Sequence, residues 1–518
     1  MDHKGRLLGL IGVLPVISAV AVLFSLQPAS AAVPCEQLAQ QLRLPDTRIT
    51  LVETVPSGTF TPSTGAPIAG LPAFCRVVAV TNPAITIEVW LPLEGWNKKF
   101  HGVGIGGTGG SISYGGLAAA LRRGYSVATT DTGHRASGTA SDWAMHRPDL
   151  LEDWAYRAIH VMTTNGKAIT KAYYGSAPIR SYFIGGSGGG RQSLIEAQRF
   201  PDDYDGIVAE YPVNNWVSFY AGGHLWDILA TQKNPASYIP GDKVPLLTDA
   251  VNAACDALDG VTDGVLTDPR KCKFDPAVLT CRGPQDLNTC FTPEQVLAVK
   301  AIWAGPRDSS GKLIFPGLLP GRETDQAGWL MFTASAPKPA THYTIGVDFF
   351  KYMVFEDPNW DYRTFDYDKD YPFAMRKLSK LIDATDPNLK AFQKRGGKLL
   401  MFHGLNDHDI SAVNSINYYE SVVRDQGDAT QTQQFARLFL VPGMQHGPLG
   451  NGRVASSYDA LDALEKWVEQ GIAPERIIAS DLRPGVPSLT RPICAYPKFP
   501  KYSGSGSPDD ALNFSCAE

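Results

Sequence analysis

The feature that most constrains this chain is the run Arg180-Ser-Tyr-Phe-Ile184, followed at once by Gly185-Gly186-Ser187-Gly188-Gly189 and then by a helical stretch from Arg191 to Arg199. A strand that turns into a helix over five residues needs small side chains on both sides of the apex. The one side chain at that apex, the Ser187 hydroxyl, is then pushed out above the end of the strand. A strand of this kind needs neighbours, and the chain supplies them. Ile85 to Leu91 alternates as a strand does, Lys99-Phe-His-Gly-Val-Gly-Ile105 is a buried strand entering a glycine turn, and Tyr125 to Thr130 is a strand closing at Asp131. Leu117 to Arg123 and Leu151 to Tyr174 have helical periodicity, and Gly206-Ile-Val-Ala209 is a further strand. This alternation predicts an α/β fold: a mostly parallel, doubly wound sheet with helices on both faces.

From Val213 to Arg395 the rhythm fails. The stretch is rich in proline, glycine and aromatics, holds four of the eight cysteines, and reads as an inserted lid, 213–395. Lys398 to Phe402 and Ala436 to Leu440 restore buried strands, and Ser457 to Glu469 is helical, so the core is expected in two parts, 32–212 and 396–518. Residues 1–31 have the form of an export signal. Lys4 and Arg6 precede an apolar run from Leu7 to Leu26, and Ala29-Ser30-Ala31 suits a signal peptidase. All eight cysteines (Cys35, Cys75, Cys255, Cys272, Cys281, Cys290, Cys494 and Cys516) follow that point, as expected of a secreted protein with disulfides. No zinc spacing occurs among them. No other segment is long and apolar enough to span a membrane. A net charge of −5 gives no reason to expect nucleic acid or an anionic membrane as partner.

A serine becomes a nucleophile only beside a base, and the base needs a carboxylate to orient it. In the α/β-hydrolase fold these follow in the order Ser, acid, His, each in a loop after a later strand. Asp407 lies in His403-Gly-Leu-Asn-Asp407-His-Asp-Ile410, after the first restored strand, and His446 in Pro442-Gly-Met-Gln-His446-Gly447, after the second. Asp409 is the competing acid. His403 is expected to pack in its turn and His408 to be solvated; the other histidines have no ligand spacing. Two backbone N–H groups should hold the oxyanion: that of Gly188, after the nucleophile, and one from the turn Gly106-Gly107-Thr108-Gly109-Gly110, with Gly106 and Gly107 both open. The same turn carries a rival motif. Gly102, Gly104 and Gly107 fit G-x-G-x-x-G with Asp131 downstream, as in an NAD-dependent oxidoreductase. No helix opens at the last glycine, and an exported enzyme would seldom meet free NAD.

The elbow Gly-Gly-Ser-Gly-Gly-Gly-Arg-Gln192, the acid turn His403-Gly-x-x-Asp407 and the base turn Val441 to Gly447 together resemble the tannase/feruloyl esterase family, as do Gly305-Pro-Arg307 and Phe315-Pro-Gly317 in the lid. The resemblance implies an α/β-hydrolase core with a large lid and hydrolysis of small aromatic esters, free or attached to plant polysaccharide. Feruloyl or other hydroxycinnamoyl esters are the preferred class; gallate esters (a tannase), terephthalate monoesters and an inactive binding protein are the alternatives. It implies no organic cofactor, and calcium in the lid. Asp256-Ala-Leu-Asp259-Gly-Val261-Thr-Asp263-Gly-Val265 resembles that calcium loop, with the side chains of Asp256, Asp259 and Asp263 and the carbonyls of Val261 and Val265 as ligands; three carboxylates broken by glycine suit a hard cation. It also implies the pairs Cys35–Cys75, Cys255–Cys272, Cys281–Cys290 and Cys494–Cys516. One departure stands out. The family's cysteine pair beside nucleophile and base is replaced here by Gly186 and Gly447, so the loops must be held by packing, and cysteines placed there are expected to crosslink.

Overall fold

The computed structural model describes residues 1–2, 33–283, 286–324, 329, 340–448, 453–481, 483, 485 and 488–518. The expected export signal falls almost wholly within 3–32 and so lies outside the described residues.

Among the described residues nine strands form the central sheet: β1 (Thr47–Val55), β2 (Phe74–Thr81), β3 (Ile85–Pro92), β4 (Lys99–Val103), β5 (Ser126–Thr130), β6 (Arg180–Gly186), β7 (Gly206–Glu210), β8 (Lys398–Gly404) and β9 (Ala436–Val441). Their order is β1-β2-β3-β5-β4-β6-β7-β8-β9. From β5 to β9 every neighbouring pair is parallel, while β1, β2 and β3 run as an antiparallel meander that joins β5 antiparallel. The sheet is thus mostly parallel, as expected; β1 and β2 lie ahead of the segment whose alternation announced it.

The helices α1 (Tyr114–Arg122), α2 (Ala158–Tyr174), α3 (Gly188–Arg199), α4 (Ala412–Gln426) and α5 (Ala460–Gln470) cover both faces. The period-two alternation of β8 shows how. Leu399 and Met401 join the apolar cluster under α2, α3 and α4, while Leu400 and Phe402 join the one under α1 and α5. In α5 the buried Leu461, Leu464 and Trp467 recur at helical spacing. Asp459 caps its start by accepting the Asp462 N–H, and Gly471 ends it at φ 72°, a left-handed conformation that costs glycine least.

Between β7 and β8 no described segment adds a strand to the sheet. Helices dominate there, including Leu225–Gln232, Val244–Cys255, Pro293–Ala304 and Thr341–Asp348. Their apolar faces form a separate cluster around Trp216, Phe219, Phe315, Phe349 and Phe350, which rests on Leu151 and Trp154 of the sheet-covering layer. The lid region therefore has a core of its own, seated above the ends of β6, β7 and β8. The four disulfides pair as the resemblance implied: Cys35–Cys75, Cys255–Cys272, Cys281–Cys290 and Cys494–Cys516. Among the described residues no helix is long and apolar enough to cross a membrane.

Candidate active site

Ser187 sits between the end of β6 and the start of α3 with φ 59° and ψ −122°. A non-glycine residue held there stores roughly 1–3 kcal/mol of strain. Its backbone is pinned on both sides. The Ser187 N–H donates to the Glu210 carbonyl at 3.0 Å, and its own carbonyl accepts from Arg191 at 3.0 Å and from Val213 at 3.3 Å. The flanking glycines are needed for close approach: a Cβ on Gly185 would stand 2.2 Å from the Gly189 carbonyl oxygen, and one on Gly188 would stand 2.3 Å from that of Gly107.

That second contact places the Gly106–Gly107 turn against the elbow, and a Cβ on Gly106 would lie 4.0 Å from the Cβ of Ser187. The Gln192 side chain in α3 ties the turn down by accepting the Ile105 N–H at 3.0 Å. The N–H groups of Thr108, Gly109 and Gly110 are taken by the carbonyls of Gly138, Gly106 and Asp131. Those of Gly106 and Gly107 have no acceptor among the described residues, so both remain open as donors beside Ser187, with Gly188 at the first position of α3. The dinucleotide reading of these glycines fails on packing. Gly102 is crowded by Tyr204, Gly104 faces Gly185 and Gly189, and Asp131 is buried with its carboxylate accepting from Thr86 and Gly133.

Asp407 and His446 meet as expected. His446 Nδ1 is 2.9 Å from Asp407 Oδ2, while Asp407 Oδ1 accepts the N–H groups of Asp409 and Ile410 at 2.9 Å each. His403 Nε2 lies 3.2 Å from the same Oδ2. Burial pushes the Asp407 carboxyl up, but the charge of His446 and hydrogen bonds from His403 and His446 outweigh it and bring it down to about 2. Burial disfavours a charged His446 as well, yet the negative charges of Asp407 and Asp409 raise it to about 9. Asp409 thus has a different place from the one first weighed: its Oδ2 is 3.4 Å from His446 Nε2, the nitrogen opposite Asp407.

Three expectations need correction. His408 is not solvated; it is fully buried, with Nε2 3.2 Å from the Leu319 carbonyl, because the lid closes over the acid turn. Nor are the remaining histidines scattered. His224 Nε2 lies 2.6 Å from Asp409 Oδ1 and His342 Nε2 lies 3.3 Å from it, a meeting that no local spacing announces. The space between Gly186 and Gly447 is also not free for a crosslink. Built Cβ atoms there would lie 2.6 Å and 3.1 Å from the hydroxyl oxygen of Tyr211, whose ring packs edge-on against His446 at 4.8 Å between centroids. Tyr211 is held at φ 33°, and its N–H donates to the Phe402 carbonyl of β8 at 2.6 Å. One residue therefore touches the Ser187 turn, the His446 turn and the strand leading to Asp407. Two glycines at facing positions hinted that something fills the gap, but not which residue.

In the expected calcium loop, the Asp256 carboxylate accepts the Gly264 N–H, Asp259 accepts those of Val261 and Thr267, and Asp263 accepts that of Val265 and pairs with Arg491. Among the described residues the three carboxylates are not gathered onto one point, and Asp263 is paired with Arg491. The donor set still suits a hard cation. The carbonyls of Val261 and Val265 accept no hydrogen bond from described residues, and burial together with the charges of Asp259 and Asp256 pushes the Asp263 carboxyl up against the pull of Arg491. Among the aromatics of the lid, Trp216, Phe219, Tyr220 and Trp329 are buried and Trp226 half-buried, while Phe332 lies outside the described residues.

The sequence model described as "Tannase and feruloyl esterase" matches residues 69–517. The chain belongs to that family. It is a carboxylic ester hydrolase of the feruloyl esterase type. An uncharacterized esterase of Xanthomonas campestris pv. campestris is 40% identical over 99% of this chain and 96% of its own length. A probable feruloyl esterase B-1 of Aspergillus flavus is 31% identical over 93% and 95%. Among solved structures, feruloyl esterase B from Aspergillus oryzae superposes on this family member with a TM-score of 0.85 at 29% identity, covering 93% of this chain and 99% of that one. The tannin acyl hydrolase of Aspergillus niger, at 22% identity and a TM-score of 0.77, shares the fold.

Proposed function

We propose that this protein is a secreted serine carboxylesterase acting on feruloyl or related hydroxycinnamoyl esters, with Ser187 as nucleophile, His446 as base and Asp407 as its orienting carboxylate. The observation that carries the mechanism is the His446 Nδ1–Asp407 Oδ2 contact of 2.9 Å, on loops packed through Tyr211 against a strained serine elbow. His446 takes the Ser187 proton as the hydroxyl attacks the ester carbonyl. The oxyanion is held by the N–H of Gly188 and by that of Gly106 or Gly107. His446 then protonates the departing alcohol, and water, activated by the same imidazole, releases the aromatic acid.

The substrate class is supported by the feruloyl esterase names among relatives near 30% identity, whereas the tannin acyl hydrolase likeness is one of fold. Four disulfides and the apolar N-terminal sequence support secretion. Calcium bound by Asp256, Asp259, Asp263 and the carbonyls of Val261 and Val265 would brace the lid electrostatically and take no part in proton transfer.

The test is initial rates on methyl ferulate and methyl gallate, with Ser187→Ala as the blank. Faster ferulate turnover that vanishes in Ser187→Ala is expected. Preference for gallate would move the substrate class to tannins, and turnover surviving in Ser187→Ala would overturn the mechanism.

A further inference from the structure

Beside the Asp407–His446 pair, the structure gathers a second set of metal-ligating side chains, two of which, His224 and His342, have no part in the proposed ester hydrolysis. His224 ends the lid segment Tyr220–His224, His342 lies at the start of the lid helix Thr341–Asp348, and Asp409 belongs to the acid turn of the core. Their ligand atoms all lie within 4.8 Å of one another. His224 Nε2 and His342 Nε2 approach the same oxygen, Asp409 Oδ1, at 2.6 Å and 3.3 Å, and the two imidazole centroids are 4.0 Å apart. Both histidines are buried; Asp409, 12% exposed, is the open side of the cluster.

Two imidazoles and one carboxylate are a donor set for a borderline divalent metal, not for calcium, which takes oxygen. Metal–ligand bonds of about 2.0–2.2 Å in a tetrahedron put neighbouring donors about 3.3–3.5 Å apart. The His342–Asp409 separation is already there, the His224–Asp409 pair needs to lengthen by less than about 1 Å, and the two histidine ligand atoms lie within 4.8 Å of each other. A second observation is independent of those distances. Asp227 Oδ2 stands 3.3 Å from His342 Nδ1, where a carboxylate fixes the ring of a metal-ligating histidine and leaves its other nitrogen facing the metal.

We propose that His224, His342 and Asp409 form a binding site for a divalent transition metal, with zinc as its probe, and that filling the site fastens lid to core and suppresses ester turnover. The fastening follows from two ligands on the lid and one on the core. The suppression follows from Asp409, whose other oxygen is 3.4 Å from His446 Nε2. A metal there places a double positive charge beside the imidazole that must itself become positive as it takes the serine proton, and it withdraws the carboxylate that offsets that charge. The suppression rests on His446 being the base; the binding does not.

The experiment uses the mature, calcium-replete enzyme titrated with zinc chloride, reading bound zinc, melting temperature and kcat/KM on methyl ferulate. The expected result is one zinc per chain, a raised melting temperature, and kcat/KM lowered about tenfold or more, recovered with a zinc-selective chelator. His224→Gln and His342→Gln, each judged against its own metal-free rate, should lose both the binding and the suppression. Ser187→Ala should bind zinc as the parent does, so a failure of the triad reading would leave that arm intact. Crystals of the unaltered enzyme soaked in zinc should show anomalous density among the three side chains, a measurement that needs no variant to fold. Absence of that density, or zinc retained by both histidine variants, would overturn the site. Zinc bound there with undiminished turnover would overturn the suppression.

Discussion

Replacing both Gly186 and Gly447 by cysteine should fail to crosslink the loops that carry Ser187 and His446 while Tyr211 is present, and should succeed once Tyr211 is also replaced by glycine. The reason is spatial. Both built Cβ atoms lie against the Tyr211 hydroxyl, at 2.6 Å and 3.1 Å, so they are no farther apart than those two distances end to end, yet the phenol occupies the gap the sulfurs would need. A disulfide wants its Cβ atoms about 3.5–4.5 Å apart, within that reach. Glycine at 211 removes the ring and suits the φ of 33° found there. The bond would close a loop of about 260 residues, worth nominally about 5 kcal/mol in the chain-entropy model. Gly447 sits at φ 83°, where any side chain costs about 1–2 kcal/mol. The control is therefore the same triple variant with serines for the two cysteines, which carries the same strain and the same lost ring. Unfolding entropy of roughly 2 cal/mol/K per residue makes about 5 kcal/mol worth roughly 5 °C in a chain of this length. The assay is non-reducing peptide mapping for the 186–447 bridge, then melting temperature against the serine control. Ready closure with Tyr211 intact, or no closure after its removal, would refute the packing argument.

Other consequences of the geometry can be checked alongside. Asp407→Asn should lower kcat by about ten-thousandfold through the wrong imidazole tautomer, with Asp409→Asn losing at least about a hundredfold less; equal losses would mean the acid is misassigned. Gly188→Ala drives a Cβ to 2.3 Å from the Gly107 carbonyl oxygen and should cost about 10²–10³ in kcat on methyl ferulate; an unchanged rate would remove that turn from the oxyanion site. His446 is raised to about 9, so its contribution to stability is full below the ordinary 6.5 and lost as pH climbs through about 9. Because the base must be neutral, the acidic limb of kcat/KM should fall above pH 6.5, and a limb at or below that value would show that the two carboxylates do not act on it. Removing calcium with a chelator should lower the melting temperature, by about 2.7 kcal/mol of stability if calcium was present at a hundred times its Kd. An unchanged melt would end the calcium assignment.

Much of the frame of the proposed active site was legible in the residues themselves. The elbow announced its serine because only glycine tolerates backbone contacts as close as those at Gly185 and Gly188, and the acid and base turns lie directly after strands whose apolar runs are local signals. The meander β1–β2 was not seen: β1 is half exposed, and its partners are set by pairing rather than by a pattern within it. The structure removes Thr108, Gly109 and Gly110 as donors of the glycine turn, since other carbonyls take their N–H groups, and leaves Gly106 and Gly107 both open, as they were in the sequence. Tyr211, His224 and His342 belong to the tertiary structure alone. Each is unremarkable in its own segment, and each matters because folding sets it against a residue far along the chain: Tyr211 against Gly447 and His446, the two histidines against Asp409. What the chain determined by itself was every feature whose cause is local, a tight turn, a strand end, a buried alternation. What only the fold decided was which distant side chains share a volume, because packing there depends on how the lid seats on the sheet and not on the order of residues within either.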